Sequence, residues 1–320
     1  MPLPGWTLPG VMGVGAAQIL LKSGGDLPPG DIVIIGSGPL PLLLTEQLAA
    51  AGRPVTAVVE PDGASALLAS TPLAYYAGAA PKTAIKGIML LAKRALRRPP
   101  VWRRATAIAI DGDERATGVR FTSGKDIRID APNVLLHDGI VPNLNPIRAA
   151  NLSTHYSEQQ KTWHAEPNDV IRLAGDGAGI LGADAAVVSG RLAAREVCGA
   201  VGSRADLSAI AKQRSFRRFI DRAYPPVCTA KNAERDTILC RCEMIRADQV
   251  DMSIVTHGTD PNAIKRALRV GMGPCQGRMC GHSLVDFVSS KTQTSPDEVG
   301  LPRARNPILP ISFKALAEIE

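Results

Sequence analysis

Four cysteines towards the carboxyl-terminal end of the sequence have a spacing that suits metal chemistry. One residue separates Cys240 from Cys242, four separate Cys275 from Cys280, and 32 lie between the two pairs. Four thiolates can hold a [2Fe–2S] cluster or a zinc ion. Structural zinc sites usually have roughly two to four residues between paired cysteines, so the single residue between Cys240 and Cys242 fits zinc poorly. Glycines beside Cys275 and Cys280 would allow backbone N–H groups to approach the bridging sulfides of a cluster. The spacing therefore favours a [2Fe–2S] cluster; zinc and ordinary buried or redox cysteines are the alternatives.

A glycine-rich turn near the amino-terminal end indicates a dinucleotide fold. Gly36 and Gly38 lie where an apolar run meets a helical pattern, so a pyrophosphate could rest on the helix N-terminus. Glu60 ends the next apolar run, where it could accept a hydrogen bond from a ribose hydroxyl. The third glycine of the usual fingerprint is Pro41 here. The candidate ligand is NAD(P) or another adenine nucleotide, and the alternative is a tight turn that serves only the fold.

A second glycine-rich segment contains Gly175 and Asp176, and it resembles the second flavin fingerprint of two-dinucleotide-domain flavoproteins. There a carboxylate binds the ribityl chain and the following helix directs its N-terminus at the flavin. The alternative is an Asp that caps a helix.

These residues need a sheet and helices to position them. Apolar runs predict buried strands over residues 31–35, 55–60, 133–137 and 170–174, and a β-meander over 106–110, 116–122 and 125–129. Helices are predicted over 10–23, 42–51, 67–96 and 183–199. The order strand, helix, strand over 31–60 is a βαβ unit.

Composition limits the possible classes of protein. The 320 residues are 45% hydrophobic, 21% charged and 4% aromatic, which is typical of a globular chain of two or three units. The net charge of +7 permits acidic partners, and the basic run 93–104 around Trp102 is interpreted as a solvated face or a contact with an acidic partner protein rather than a nucleic-acid site. His137 and His282 are interpreted as structural. Without an export signal, we expect a cytoplasmic location, with a peripheral position at the inner membrane face as the alternative.

Six segments together resemble one family. They are residues 4–12, 15–18, 36–40, 137–143, 174–179 and 271–281. The sequence resembles the large FAD- and NAD-fold subunit of bacterial opine oxidases, the B subunit of hydrogen cyanide synthase, and dye-linked proline and hydroxyproline dehydrogenases. Such subunits carry a small [2Fe–2S] domain like bacterioferritin-associated ferredoxin.

The resemblance implies an α/β, Rossmann-type two-dinucleotide-domain flavoprotein fold plus a small helical four-cysteine domain. The expected units are a remnant of the FAD domain (1–25), an NAD(P)-type Rossmann domain (26–145), the C-terminal part of the FAD domain (146–200), a linker (201–229), the [2Fe–2S] domain (230–290) and a Pro-rich tail (291–320). The family's first FAD-binding βαβ unit precedes the Pro-Gly-Trp segment. Since the sequence starts at that segment, we expect either a truncated sequence or lost autonomous FAD binding.

The expected function is electron transfer by a subunit of an FAD-dependent amino- or imino-acid dehydrogenase. Expected partners are a catalytic FAD-containing subunit like amino-acid oxidases, a small ferredoxin-like subunit, and a quinone or dye-like acceptor. No catalytic base or nucleophile is identifiable, so substrate chemistry is assigned to the partner subunit. The alternatives are a non-catalytic assembly or regulatory subunit with a structural metal, or an inactive fragment of a longer oxidoreductase.

Overall fold

A mixed α/β sheet forms the first half of the protein. The computed structural model describes residues 1–25, 27, 29–63, 78 and 80–318. The strands of this sheet are β1 (Val11–Gly13), β2 (Ile32–Gly36), β3 (Ala57–Pro61), β4 (Val101–Asp111), β5 (Gly118–Thr122), β6 (Asp126–Asp130) and β7 (Asn133–His137).

The sheet is mostly parallel. Its spatial order is β1-β7-β2-β3-β4-β5-β6, and β1, β7, β2, β3 and the first part of β4 run parallel. The remaining pairs, β4–β5 and β5–β6, are antiparallel and form the predicted meander. Because β2 is buried on both faces, its sequence is an unbroken apolar run rather than an alternating one.

Helices cover one face of the sheet. These are α1 (Val14–Lys22) and α2 (Pro39–Ala50), whose apolar side chains pack with Ile32 and Ile34 of β2. The opposite face, with Val33 and Ile35, packs on the amino-terminal segment that contains Trp6. Helix α3 (Pro81–Arg97) lies against α2.

The second half is built from short hairpins and helices. It contains α4 (Asn145–Ala149), β8 (Thr154–Ser157), β9 (Thr162–Ala165), α5 (Ala183–Val197), α6 (Arg204–Ala223), β10 (Ile238–Cys240), β11 (Ile245–Arg246), α7 (Ala247–His257), α8 (Pro261–Leu268), α9 (Gly281–Thr292), α10 (Pro296–Val299) and α11 (Phe313–Ala317). One core joins the β8–β9 hairpin, through Trp163 and Ala165, with the cysteine-bearing segment and α9. The stretch expected to be a linker includes the 20-residue helix α6.

The predicted strands 31–35, 55–60 and 133–137 and the meander are confirmed within one or two residues at most ends. Residues 11–13 form β1 rather than the start of a helix, because they pair with β7. The predicted strand 170–174 is wrong: the backbone N–H groups of Val170 and Ile171 donate to the Asn168 side chain, and no neighbouring strand is assigned there within the described chain. Of the predicted helix 67–96, residues 67–77 and 79 lie outside the described residues.

The basic run serves the fold. Arg94 and Arg103 contact Glu60 at 3.2 and 3.4 Å, and Arg97 contacts Glu46 at 3.1 Å. Over the ranges that the structure describes, no helix has the length and apolar character needed to cross a membrane.

Candidate metal centre and dinucleotide turns

Two short loops carry the four clustered cysteines. Cys240 ends β10 and Cys242 lies in the turn before β11. Cys275 and Cys280 lie in the glycine-rich loop between α8 and α9, and Cys280 is the N-cap residue of α9. Cys240 and Cys280 are buried, with 1% and 2% of their surface exposed, whereas Cys242 is exposed and Cys275 is half-buried. One side of the group therefore faces the core and the other reaches the surface.

The fold brings the four thiols close together. The side chain of Cys280 interacts with those of both Cys240 and Cys275, and Cys275 interacts in turn with Cys242. The Cys280 contact, helped by the backbone N–H groups of Gly271 and Glu243, lowers the pKa of Cys240 to about 6.

The same contacts shift the pKa values of the other cysteines in opposite directions. The Cys280 contact, with help from the Met279 and Gly277 backbone and the Cys242 thiol, lowers the pKa of Cys275 to about 5. Hydrogen bonding to Cys240 and Cys275, together with burial, raises the pKa of Cys280. The lowered pKa values favour the thiolate form of Cys240 and Cys275, and a bound cation would favour that form for the other two cysteines as well.

Glycines allow the two loops to approach this closely. A Cβ added to Gly273 would lie 2.3 Å from the Cβ of Cys242, and one added to Gly271 would lie 3.8 Å from the Sγ of Cys280. Gly271 and Gly277 both have a φ of +78°, a conformation that L-residues rarely adopt. A larger residue at position 273 would push the two cysteine pairs apart.

Four thiols are a donor set that suits a [2Fe–2S] cluster or a zinc ion. Within the described part of the chain, no group of three or more His, Cys, Asp or Glu side chains is arranged to hold a metal ion. A [2Fe–2S] cluster places two protein ligands on each iron and completes the coordination with sulfides. Four thiols joined by pairwise contacts, with backbone N–H groups directed at the sulfurs, have the chemistry that such a cluster needs.

Residues distant in sequence hold the two cysteine loops in place. Trp6 donates from Nε1 to the carbonyl of Ile238 at 2.7 Å, and the Arg241 guanidinium lies 6.0 Å from the Trp6 ring centroid. The Asn145 side chain donates to the carbonyl of Gln276 at 2.8 Å. These roles of Trp6, Arg241 and Asn145 were not predicted from the sequence. The Pro-Gly-Trp segment was noted there only as part of the family resemblance.

The Gly36–Gly38 turn lies between β2 and α2, as predicted, but it has few free donors. Of the first three helical residues, Pro39 and Pro41 lack a backbone N–H, so Leu40 alone has one to offer. A Cβ at Gly36 would lie 2.2 Å from the carbonyl oxygen of His137, so close packing against β7 explains this glycine. The geometry is compatible with a tight turn that serves only the fold.

Glu60 lies at the end of β3, where a ribose-binding carboxylate was expected. Its side chain is only 4% exposed and contacts Arg94 and Arg103. Oε1 accepts a hydrogen bond from Arg94, whereas the buried Oε2 lies 3.4 Å from Arg103 Nε without a hydrogen-bond partner among the described residues. Nearby, burial lowers the pKa of His137 to about 4, and burial likewise lowers that of His282 to about 4, so both imidazoles are neutral at neutral pH, in keeping with structural roles.

Gly175 and Asp176 line a cavity of about 190 Å³ in front of α5. They belong to a 3-10 turn at Gly175–Ala178, and the Gly175 N–H donates to Ser189 Oγ at 2.8 Å. Asp176 is exposed, and among the described residues its carboxylate has no hydrogen-bond or ion-pair partner. The carboxylate is free to accept from a ligand hydroxyl in this cavity.

Comparisons with known proteins agree with the resemblance found in the sequence. Residues 247–319 match the family model of the sarcosine oxidase A3 domain. The whole chain aligns with the A subunit of opine oxidase from Agrobacterium tumefaciens (strain Ach5), at 38% identity over 67% of that protein. It also aligns with the HcnB subunit of hydrogen cyanide synthase from Pseudomonas aeruginosa, at 31% identity over 73% of that protein.

A solved structure has the same fold. L-proline dehydrogenase from P. horikoshii superposes with a TM-score of 0.67 and 19% identity, and the match covers 99% of this chain and 56% of that one. The chain thus spans about two thirds of the length of the opine oxidase subunits it matches.

Proposed function

The chain belongs to the family of the opine oxidase A subunits, and on that premise we propose that it is the electron-transferring subunit of a complex that dehydrogenates amino or imino acids. The related proteins are oxidoreductases by name: opine oxidase, hydrogen cyanide synthase and, by fold, L-proline dehydrogenase. Two of these names describe oxidation of, or hydrogen removal from, a small substrate.

The contact between the four cysteine thiols is the observation that carries the proposal. Cys240, Cys242, Cys275 and Cys280 would hold a [2Fe–2S] cluster, which when bound accepts and passes on one electron at a time. The chain's own contribution is to lower the pKa of Cys240 and Cys275, first through the Cys280 side chain and further through backbone N–H groups. It also leaves Cys242 and Cys275 near the surface, where a redox partner can come close.

The cavity in front of α5 supports a flavin as the second redox group. The free Asp176 carboxylate could bind a ribityl hydroxyl, and α5 directs its N-terminus, with Gly182 as N-cap, towards that cavity. We propose that FAD binds here. The Gly36–Gly38 turn and the paired Glu60 favour a structural role over NAD(P) binding in the sheet domain.

Substrate oxidation is assigned to a partner. No side chain of the candidate sites is arranged as a nucleophile with its base within the described residues. We propose that a catalytic FAD-containing subunit removes hydrogen from the amino or imino acid. A small ferredoxin-like subunit could complete the complex, and a quinone or dye-like acceptor could take the electrons.

The test is the optical spectrum of protein purified without oxygen. We expect a sulfide-to-iron charge-transfer band that dithionite bleaches, and its loss in Cys275→Ser. Cys198→Ser is the matched control, because Cys198 is an exposed free cysteine outside the group. A colourless protein with one zinc per chain would contradict the proposal and favour an assembly or regulatory role with a structural metal.

A further inference from the structure

A second, larger cavity of about 370 Å³ lies beside the cysteine loop. Its walls come from the segment after β7, from α4, from α8, from the Cys275 loop and from the chain after α10. Charged and polar groups on the walls include Arg148, Lys265 and Arg278, and apolar ones include Val141, Leu144 and Leu301. No aspartate or glutamate is among the described residues that line it.

Two of these cations, one buried and one half-buried, have no compensating carboxylate among the described residues. Lys265 is only 8% exposed and donates one hydrogen bond, from Nζ to the carbonyl of Arg303 at 2.9 Å. Arg148 is half-buried and donates from Nη2 to the carbonyl of Leu301 at 2.9 Å. Neither cation forms an ion pair in the described part of the chain, although each has further N–H groups.

Burial disfavours the charged form of both side chains, and neighbouring positive charge adds to this effect at Lys265. Burial lowers the pKa of the Arg148 guanidinium. Burial also lowers the pKa of the Lys265 ammonium, and repulsion from Arg305 and Arg148 lowers it further, with only Cys280 acting against them. Charges inside proteins are normally paired with an opposite charge. These two cations have no such partner among the described residues, and an anionic ligand could provide it.

We propose that this cavity binds a small organic anion whose apolar body rests on the Val141, Leu144 and Leu301 walls and whose acidic group is held by Arg148 and Lys265. Its size is that of a site for a small molecule. Arg278, exposed at the rim, would attract such an anion from solution. This inference goes beyond the proposed function, because the cations and the apolar walls carry it whether or not the cysteines hold a cluster.

The competing explanation is that the cations only balance the charge of the thiolates. In that case they would change the properties of the cysteine group but would bind no added anion. The two explanations differ in a direct binding measurement, which needs no enzymatic activity.

The probe is 9,10-anthraquinone-2-sulfonate, titrated by calorimetry into the purified full chain. We expect one site per chain, weakened by added salt. Its neutral analogue 2-(hydroxymethyl)anthraquinone and inorganic sulfate should each bind at least about tenfold more weakly, because one lacks the charge and the other lacks the apolar body. Equal binding of the neutral analogue or of sulfate would overturn the proposal.

Variants identify the site. Lys265→Gln and Arg148→Gln should each weaken binding of the sulfonate about tenfold or more, whereas Lys212→Gln, at an exposed position of α6 outside the cavity, should not change it. Since loss of a buried cation could also disturb folding, Val141 offers a second test: it is 47% exposed and lines the cavity. Val141→Glu should weaken binding and Val141→Lys should strengthen it.

The outcomes separate this inference from the proposed function. Sulfonate binding by a protein without iron would support the cavity and refute the cluster. A protein with a full iron content that binds no sulfonate would refute the anion site alone. So would sulfonate binding that is unchanged in Val141→Glu and Lys265→Gln.

Discussion

Gly273→Ala should prevent the cysteine group from holding its metal. The added methyl group would lie 2.3 Å from the Cβ of Cys242 and 3.2 Å from a carboxylate oxygen of Glu243. Carbon atoms pack at about 3.5–4.0 Å, so Cys242 or the glycine-rich loop must move by more than about 1 Å. Metal–ligand distances tolerate only about 0.2 Å. We therefore expect loss of most of the bound iron and a free energy of unfolding that is about 1–3 kcal/mol lower.

Gly281→Ala is the matched control for that variant. Gly281 directly follows Cys280, begins α9, and has nothing within 4 Å of an added Cβ. Alanine suits a helix better than glycine, so iron content should be unchanged and stability should stay within about 1 kcal/mol. The assay is iron per chain after anaerobic purification, with urea unfolding monitored by circular dichroism. Equal iron content in the two variants would refute the close approach of Gly273 and Cys242.

Three further predictions concern the surrounding fold. Glu60→Gln should lower the free energy of unfolding by about 1–3 kcal/mol, because the buried carboxylate contacts two arginines. Glu114 is exposed, so Glu114→Gln should leave urea unfolding unchanged. Burial raises the pKa of Asp138 to about 7, so the folded protein favours the protonated carboxyl and loses stability as the pH rises from about 4 to 7. Asp138→Asn should remove up to about 4 kcal/mol of this loss, measured by urea unfolding at pH 4 and pH 8. Asp130→Asn should leave the loss unchanged, because the Asp130 side chain is 85% exposed. Trp6→Phe should lower the free energy of unfolding by about 1 kcal/mol, because the Ile238 carbonyl, two residues before Cys240, loses its donor. An unchanged urea midpoint would contradict that role.

The sequence could indicate the cysteine group because its determinants are local. Each pair lies within one loop, and Gly273, which allows the two loops to meet, is adjacent to one of them. The sheet was predicted for a similar reason, since an apolar run such as β2 is typical of a strand buried on both faces.

Interactions between distant parts of the chain could not be predicted in this way. Trp6 and Ile238 lie 232 residues apart, and nothing in either segment specifies the other. Glu60 lies where the βαβ pattern placed it, yet the arginines that occupy its carboxylate come from a separate basic run. The prediction of a strand at 170–174 was wrong because a strand needs a neighbouring strand to pair with. Val170 is 86% exposed, and its N–H donates to the Asn168 side chain instead.

The most direct test of the account is the metal and sulfide content of the anaerobically purified chain. If Cys240, Cys242, Cys275 and Cys280 hold a [2Fe–2S] cluster, each chain should contain two irons and two acid-labile sulfides, and these thiols should resist alkylation until the metal is removed. One zinc per chain without sulfide, or four thiols that alkylate freely in the native protein, would contradict it.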